Sequence, residues 1–198
     1  MEVLLTLFAE TEIFIFVFME IITKIKITQR VIRKKATYRD TAVFTLIFGG
    51  FSIFGTYVGI PLPSGAISNI RDFAPMVAGL IAGPLVGLGV GLIGGIHRFF
   101  LGGLTRIPCG IATVFAGLIA GGVYHLNKRK LIGIIPGILV AILVECFHGG
   151  LTLLIARPFA EALEVVKIAI PAMMVANGLG VAIGIIITSH DTDLQQSA

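Results

Sequence analysis

A few ionisable and nucleophilic side chains interrupt an otherwise apolar chain. Arg71 and Asp72 are adjacent, His97 and Arg98 follow, Thr105, Arg106 and Cys109 come next, Glu145 and His148 stand three apart, and Asn177 lies near the end. A charge at the centre of a membrane helix costs about 2.5–3.5 kcal/mol on insertion scales, so each of these is a candidate functional residue. Arg71 and Arg98 face one neighbouring acid, Asp72, which leaves surplus positive charge. A guanidinium matches a carboxylate through planar, bidentate hydrogen bonds, so a small anionic ligand is one reading of that surplus. The other reading is structural: Arg71 pairs with Asp72, and Arg98 caps a helix end or snorkels to headgroups. Gly102-Gly103 implies a tight turn that brings backbone donors and Thr105 toward the same point. Glu145 and His148 share a helical face, where they can share a proton or join an interhelical hydrogen bond.

The elements that must position these residues follow from composition. Apolar residues make up 56% of the 198, charged residues 13%, and the mean hydropathy is +1.00, which excludes an ordinary soluble enzyme. The expected fold class is an all-α polytopic membrane protein in a lipid bilayer. Its net charge of +4 does not point to nucleic acid, because ten of its fifteen basic residues fall in two short segments, Lys24 to Arg39 and Lys128 to Lys130. That is positive-inside patterning, with juxtamembrane cations beside anionic lipid headgroups. The cysteines, Cys109 and Cys146, both lie in apolar spans and support neither a disulfide framework nor a metal site. No cofactor is expected. The N-terminal stretch lacks the charged leader and cleavage site of a signal peptide and reads as a retained span.

About seven transmembrane helices are expected, at roughly 3–23, 41–60, 73–83, 85–100, 107–124, 131–156 and 166–188, in a single sensor domain over 1–198. Glu10 and Glu12 read as lying near the outer interface and Glu20 near the inner one, the other reading being a carboxylate that faces a cavity. Pro61 to Asp72 reads as a turn-rich loop, and Arg157 to Glu164 as an outer segment. Residues 189–198 form a polar tail that suits either a free end or a cut before an output domain. Gly83-Pro84 breaks the long apolar run into a short hinged hairpin, since proline lacks a donor and disfavours helix at the preceding residue. Both basic clusters are then cytoplasmic, with the N-terminus outside and the C-terminus inside. Gly79, Gly83, Gly87, Gly91 and Gly95 recur at four-residue spacing, a small-residue face for close helix packing.

Several ordered motifs carry a resemblance. Gly55-Thr-Tyr-Val-Gly59, Asn69-Ile-Arg-Asp72, Gly79-Leu-Ile-Ala-Gly-Pro-Leu-Val-Gly87, His97-Arg-Phe-Phe-Leu-Gly-Gly-Leu-Thr105, Cys109 and Asn177-Gly-Leu-Gly180 follow one pattern. In these the chain resembles the membrane-embedded sensor domain of LytS-type receptor histidine kinases, the group that includes YehU and YpdA. The resemblance implies recognition of a small extracellular carboxylate such as pyruvate, a homodimer, and signalling to a cytoplasmic kinase domain and response regulator in two-component regulation, including that of the cell wall. It implies ligand-binding roles for Arg71, Arg98 and Cys109, with Asn69, Asp72, His97 and Thr105 in the same motifs. A small hydroxyl is expected one turn after the cysteine, where this chain has Ala112 with Thr113 beside it. Thr113, Glu145, His148 and Asn177 form a second tier. The chain carries no kinase, phosphoacceptor or nucleotide-binding motif, so it is not expected to be an enzyme by itself.

Two other classes stay open. The hinged hairpin and helical core also look like the substrate-binding subunits of vitamin transporters, and fold does not settle function. A purely structural membrane protein would use Arg71 and Arg98 for stability alone. Continuation of the reading frame into a signalling domain discriminates the receptor from the transporter.

Overall fold

The computed structural model describes residues 2–61 and 67–196, with side chains over 9–59 and 69–191. The described chain runs α1 (Glu2–Lys24), α2 (Lys26–Ile32), α3 (Tyr38–Tyr57), β1 (Ile60–Pro61), β2 (Ile67–Ser68), α4 (Phe73–Ala82), α5 (Pro84–Phe100), α6 (Arg106–Leu126), α7 (Ile134–Ile155) and α8 (Phe159–Gln196). Three helices among the described residues, within α6, α7 and α8, are long and apolar enough to cross a membrane, and α4 and α5 are shorter apolar helices. The protein is thus a polytopic helical membrane protein. Large apolar side chains such as Phe16, Leu46, Leu85, Leu143 and Leu154 point outward, the arrangement expected where the outer solvent is lipid.

Several expectations change. Part of the loop read over Pro61 to Asp72 is paired: β1 and β2 form an antiparallel ladder with Ile60 opposite Ser68, 62–66 lie outside the described residues, and Asn69 to Asp72 are buried without helix. The basic segment is not all loop, because α2 lies within it. From Phe159 of the outer segment to Gln196 of the polar tail the chain is helical: α8 is continuous for 38 residues, about 57 Å at 1.5 Å per residue. Glu161, Ala162, Leu163 and Glu164 are good helix formers, and Pro171 does not end the helix. In α1, Glu20 pairs with Lys24 at 2.6 Å as an interfacial acid would, whereas both carboxyl oxygens of Glu12 are buried without a hydrogen-bond partner.

The hinge forms as Gly83-Pro84 dictates. Gly83 adopts φ 92°, a conformation that L side chains rarely adopt, and ends α4, while Pro84 occupies the first turn of α5, where its missing N–H is no loss. Helix α5 then packs along α6 through small residues: a Cβ on Gly91 would lie 2.7 Å from the Thr113 carbonyl oxygen, and one on Gly95 2.6 Å from that of Gly110. Gly87 and Gly117 meet backbone to backbone. At the hinge end a cavity of about 270 Å³ is lined by Lys34, Gly83, Tyr124 and Arg129, so both basic clusters and the hinge share one end of the bundle.

The turn from α2 to α3 is fixed by a capping box. The Thr37 hydroxyl accepts from the Asp40 N–H at 3.2 Å, the Asp40 carboxylate accepts from the Thr37 N–H at 2.9 Å, and Arg30 Nε donates to the same carboxylate at 2.9 Å. Thr37→Ala is expected to destabilise the domain by about 1 kcal/mol, read by thermal unfolding in detergent. The Arg30 guanidinium, helped by the Thr37 N–H, holds the Asp40 carboxyl below its usual range. Its contribution is therefore present above the unfolded carboxylate pKa and lost as pH falls through the lower folded value. Asp40→Asn should consequently be less stable than wild type near pH 7, with the gap closing as unfolding is measured at pH values below about 4.

Candidate functional site

At the end of the bundle opposite the basic clusters, the chain enters the protein interior without helix. Asn69 to Asp72 are buried, with Arg71 and Asp72 at 0% exposure, and α4 starts only afterwards. Irregular backbone at membrane depth is tolerated when its polar groups are satisfied inside the protein. The Asn69 side chain accepts from the Arg71 N–H at 3.2 Å, and the Ser52 hydroxyl of α3 donates to the Arg71 carbonyl at 3.1 Å. Gly55 lets α3 approach: a Cβ there would sit 3.1 Å from Arg71 Cα and N.

Four helices contribute to a polar network around this segment. Arg71 Nε donates to the Thr113 hydroxyl at 2.7 Å, which in turn donates to Asp72 Oδ1 at 2.6 Å. The direct Arg71 Nε to Asp72 Oδ1 separation is 3.6 Å, too long for a hydrogen bond, so Thr113 bridges the ion pair. His148 of α7 places Nδ1 3.1 Å from Asp72 Oδ2 and Nε2 3.1 Å from the Cys109 sulfur of α6. Glu145 lies 3.5 Å from the same His148 nitrogen, and its other oxygen accepts from Asn177 Nδ2 of α8 at 2.9 Å. Asn177 also donates to the Asn69 carbonyl at 3.2 Å. Both terminal nitrogens of Arg71, Nη1 and Nη2, are buried with no hydrogen-bond partner. Leaving a buried donor unmade costs about 1–3 kcal/mol, more when the group is charged.

A cavity of about 520 Å³ opens beside the network, lined on its polar side by Asn69, Arg98, Thr105, Cys109 and His148. The α8 wall is mixed, with the carboxylates of Glu161 and Glu164 beside the apolar Val165, Ala169 and Met173. Arg98 is held at the turn that follows α5: Nη1 donates to the Gly102 carbonyl at 2.7 Å and Nη2 to the Thr105 hydroxyl at 2.9 Å. Gly102 and Gly103 take φ 75° and 86°, so the tight turn expected from the glycine pair is present.

Most candidate residues converge. Arg71, Asp72, Asn69, Cys109, Thr113, Glu145, His148 and Asn177 form one connected network, and Arg98 and Thr105 border the cavity it faces. His97 does not join them; its Nε2 pairs with the Tyr57 hydroxyl at 3.1 Å. The expectation that Asp72 is the one nearby buried acid is corrected, because Glu145 enters the same cluster through His148. Thr113, beside Ala112, lies four residues after Cys109 and so on the same helical face, with its hydroxyl 2.9 Å from the Cys109 carbonyl oxygen. Sequence reasoning did not single out Ser52, which braces Arg71, or Glu161 and Glu164, which α8 carries to the cavity. No local motif marks these three; only the helix packing brings them there.

Asp72, Glu145 and His148 each offer one ligand atom, all within 4.8 Å of one another. The cluster has the donor set for a divalent cation. The Arg71 guanidinium 3.6 Å from Asp72 occupies the same electrostatic role, which favours a proton-sharing network over a metal.

Comparison with known proteins bears on what this arrangement is for. The chain is 31% identical to the sensor protein LytS of Bacillus subtilis over 177 residues, covering 81% of this chain and 30% of that one. It is 35% identical to the sensor histidine kinase BtsS of Escherichia coli K12 over 143 residues, 70% of this chain and 25% of the relative. To the E. coli sensor histidine kinase YpdA it is 32% identical over 179 residues, 88% and 31% of the two chains. The chain thus spans less than a third of the length of each of these curated relatives. No solved structure matches it. A family model described as the 5TMR of 5TMR-LYT matches residues 25–190, which takes in α2 to α7, most of α8 and the whole polar network. The chain belongs to that 5TMR-LYT family and is a LytS-type membrane sensor domain.

Proposed function

We propose that this domain binds a small extracellular carboxylate, such as pyruvate, in the cavity beside the polar network and passes the event through α8 to a cytoplasmic kinase domain. The observation that carries the reading is Arg71: a completely buried guanidinium whose two terminal nitrogens lack a partner, in a network whose Asn69, Cys109 and His148 line a cavity that Arg98 also borders. A carboxylate satisfies two such donors at once in bidentate geometry. The convergence of Lys34, Gly83 and Arg129 at the opposite end supports a cytoplasmic position for both basic clusters, which sets the cavity on the outer side. In this orientation the N-terminus is outside, the C-terminus is inside and about seven helical segments enter the bilayer.

Signal transfer rests on Asn177. This α8 residue bonds both Glu145 of α7 and the Asn69 carbonyl, so a ligand that draws Arg71 toward the cavity acts on the backbone segment that α8 grips. Transmission requires that the ligand favour one packing of α8 over another. The receptor acts as a homodimer with its kinase domain and response regulator.

The test is calorimetric titration of the purified protein in detergent with pyruvate and related small carboxylates. Wild type is expected to bind, and Arg98→Ala to bind more weakly by about 1.5–3 kcal/mol, the scale of a charged hydrogen bond. A folded wild-type protein that takes up no carboxylate would sink the proposal.

A further inference from the structure

The network contains a three-part constellation that carboxylate binding does not require. Cys109 Sγ lies 3.1 Å from His148 Nε2, and His148 Nδ1 lies 3.1 Å from Asp72 Oδ2. Asp72 is itself held by the Thr113 hydroxyl at 2.6 Å. This is the order nucleophile, base, orienting carboxylate that activates a thiol. Asp72 accepting from Nδ1–H leaves Nε2 with the lone pair that faces the sulfur. Cys109 and His148 both line the cavity, together with Arg98. A thiol is a weak hydrogen-bonding group and a poor choice merely to satisfy a buried imidazole, and cysteine is ordinarily retained for its reactivity more than for its packing. The second cysteine, Cys146, sits exposed on α7, outside the network.

Resting on the carboxylate reading above, we propose that Cys109 adds reversibly to the carbonyl carbon of a small 2-oxo carboxylate held in this cavity, with His148 carrying the proton. His148 Nε2 takes the S–H proton, and the sulfur electron pair forms a C–S bond at the carbonyl carbon. The C=O π pair moves to oxygen, and the imidazolium returns the proton there, giving a neutral thiohemiketal. Nothing is oxidised or reduced, no co-reactant is consumed, and the reverse sequence releases the ligand intact. The domain thereby distinguishes 2-oxo acids from saturated carboxylates of the same size, which meet only the arginines.

The experiment uses the full chain in detergent with pyruvate labelled with carbon-13 at C2, followed by carbon NMR, alongside calorimetry with pyruvate, lactate and propionate. The labelled carbon of bound pyruvate is expected to appear as a tetrahedral, sulfur-substituted centre in wild type and not in Cys109→Ser. Cys109→Ser is expected to weaken pyruvate binding by about tenfold or more and so to narrow the preference for pyruvate over lactate and propionate, whereas Cys146→Ser, exposed outside the network, is expected to leave pyruvate affinity within about twofold. Bound pyruvate whose C2 stays trigonal in wild type overturns the covalent step while leaving carboxylate recognition intact. Failure of every carboxylate to bind wild type removes the carboxylate reading and this step together.

Discussion

Arg71→Lys is expected to leave the domain folded but to bind small carboxylates about 10–150-fold more weakly, the equivalent of about 1.5–3 kcal/mol. Lysine keeps the positive charge that balances Asp72, 3.6 Å from the Arg71 Nε, but an ammonium cannot offer the paired, planar donors that Nη1 and Nη2 present. Arg71→Ala should fail twice. It removes the ligand donors, and it leaves Asp72 buried with only Thr113 and His148 as partners, which destabilises by about 3–5 kcal/mol when one member of a buried pair is deleted. Thermal unfolding in detergent separates the two effects: Arg71→Lys near the wild-type midpoint, Arg71→Ala well below it. Calorimetry on Arg71→Lys then reads binding without the stability loss. Equal affinity in Arg71→Lys and wild type would remove Arg71 from the site.

The second large effect lies away from the ligand. Gly87→Val is expected to destabilise the bundle by about 3 kcal/mol or more, at or beyond the upper end of ordinary overpacking. Most overpacked positions relax by moving a flexible side chain. At Gly87 the nearest atoms are the Gly117 carbonyl carbon, oxygen and Cα, so α5 and α6 themselves must separate. These helices carry Arg98 on one side and Cys109 and Thr113 on the other, so ligand binding should fall with stability. Gly50→Ala on α3 is the control: nothing lies within 4 Å of its added Cβ, so no loss is expected, and helix propensity favours a gain of up to about 1 kcal/mol. If Gly87→Val unfolds at the same temperature as Gly50→Ala, the α5–α6 contact is not the close one described.

Both effects show how far local sequence reaches. The Gly83-Pro84 hinge and the Gly102-Gly103 turn were legible because each depends on the backbone freedom of one or two residues, and both occur where the residues demand them. The four-residue glycine repeat announced a packing face but not the partner; that partner is α6, whose own Gly110, Gly117 and Gly121 lie opposite. Polarity after Thr188 marks a tail but not its conformation, and a helix leaving the bundle keeps its hydrogen bonds whatever its side chains face, so α8 runs on to Gln196.

Composition, the clustering of lysine and arginine, and the isolated charges in apolar sequence were enough to place this chain in lipid and to single out Arg71, Arg98 and His148, because each of those properties is an energetic cost visible residue by residue, while Cys109 entered only through the resemblance of its motif. Which of them touch was decided only in three dimensions. Cys109, His148 and Asp72 are separated by up to 76 positions along the chain and meet because α4, α6 and α7 pack around one buried segment. His97 sits beside Arg98 in sequence, yet on a helix adjacent residues face different directions, and it turns to Tyr57 instead. The unpartnered nitrogens of Arg71 likewise exist only once every neighbouring acceptor has been placed, since hydrogen-bond satisfaction is a property of the packed interior and not of any one residue type.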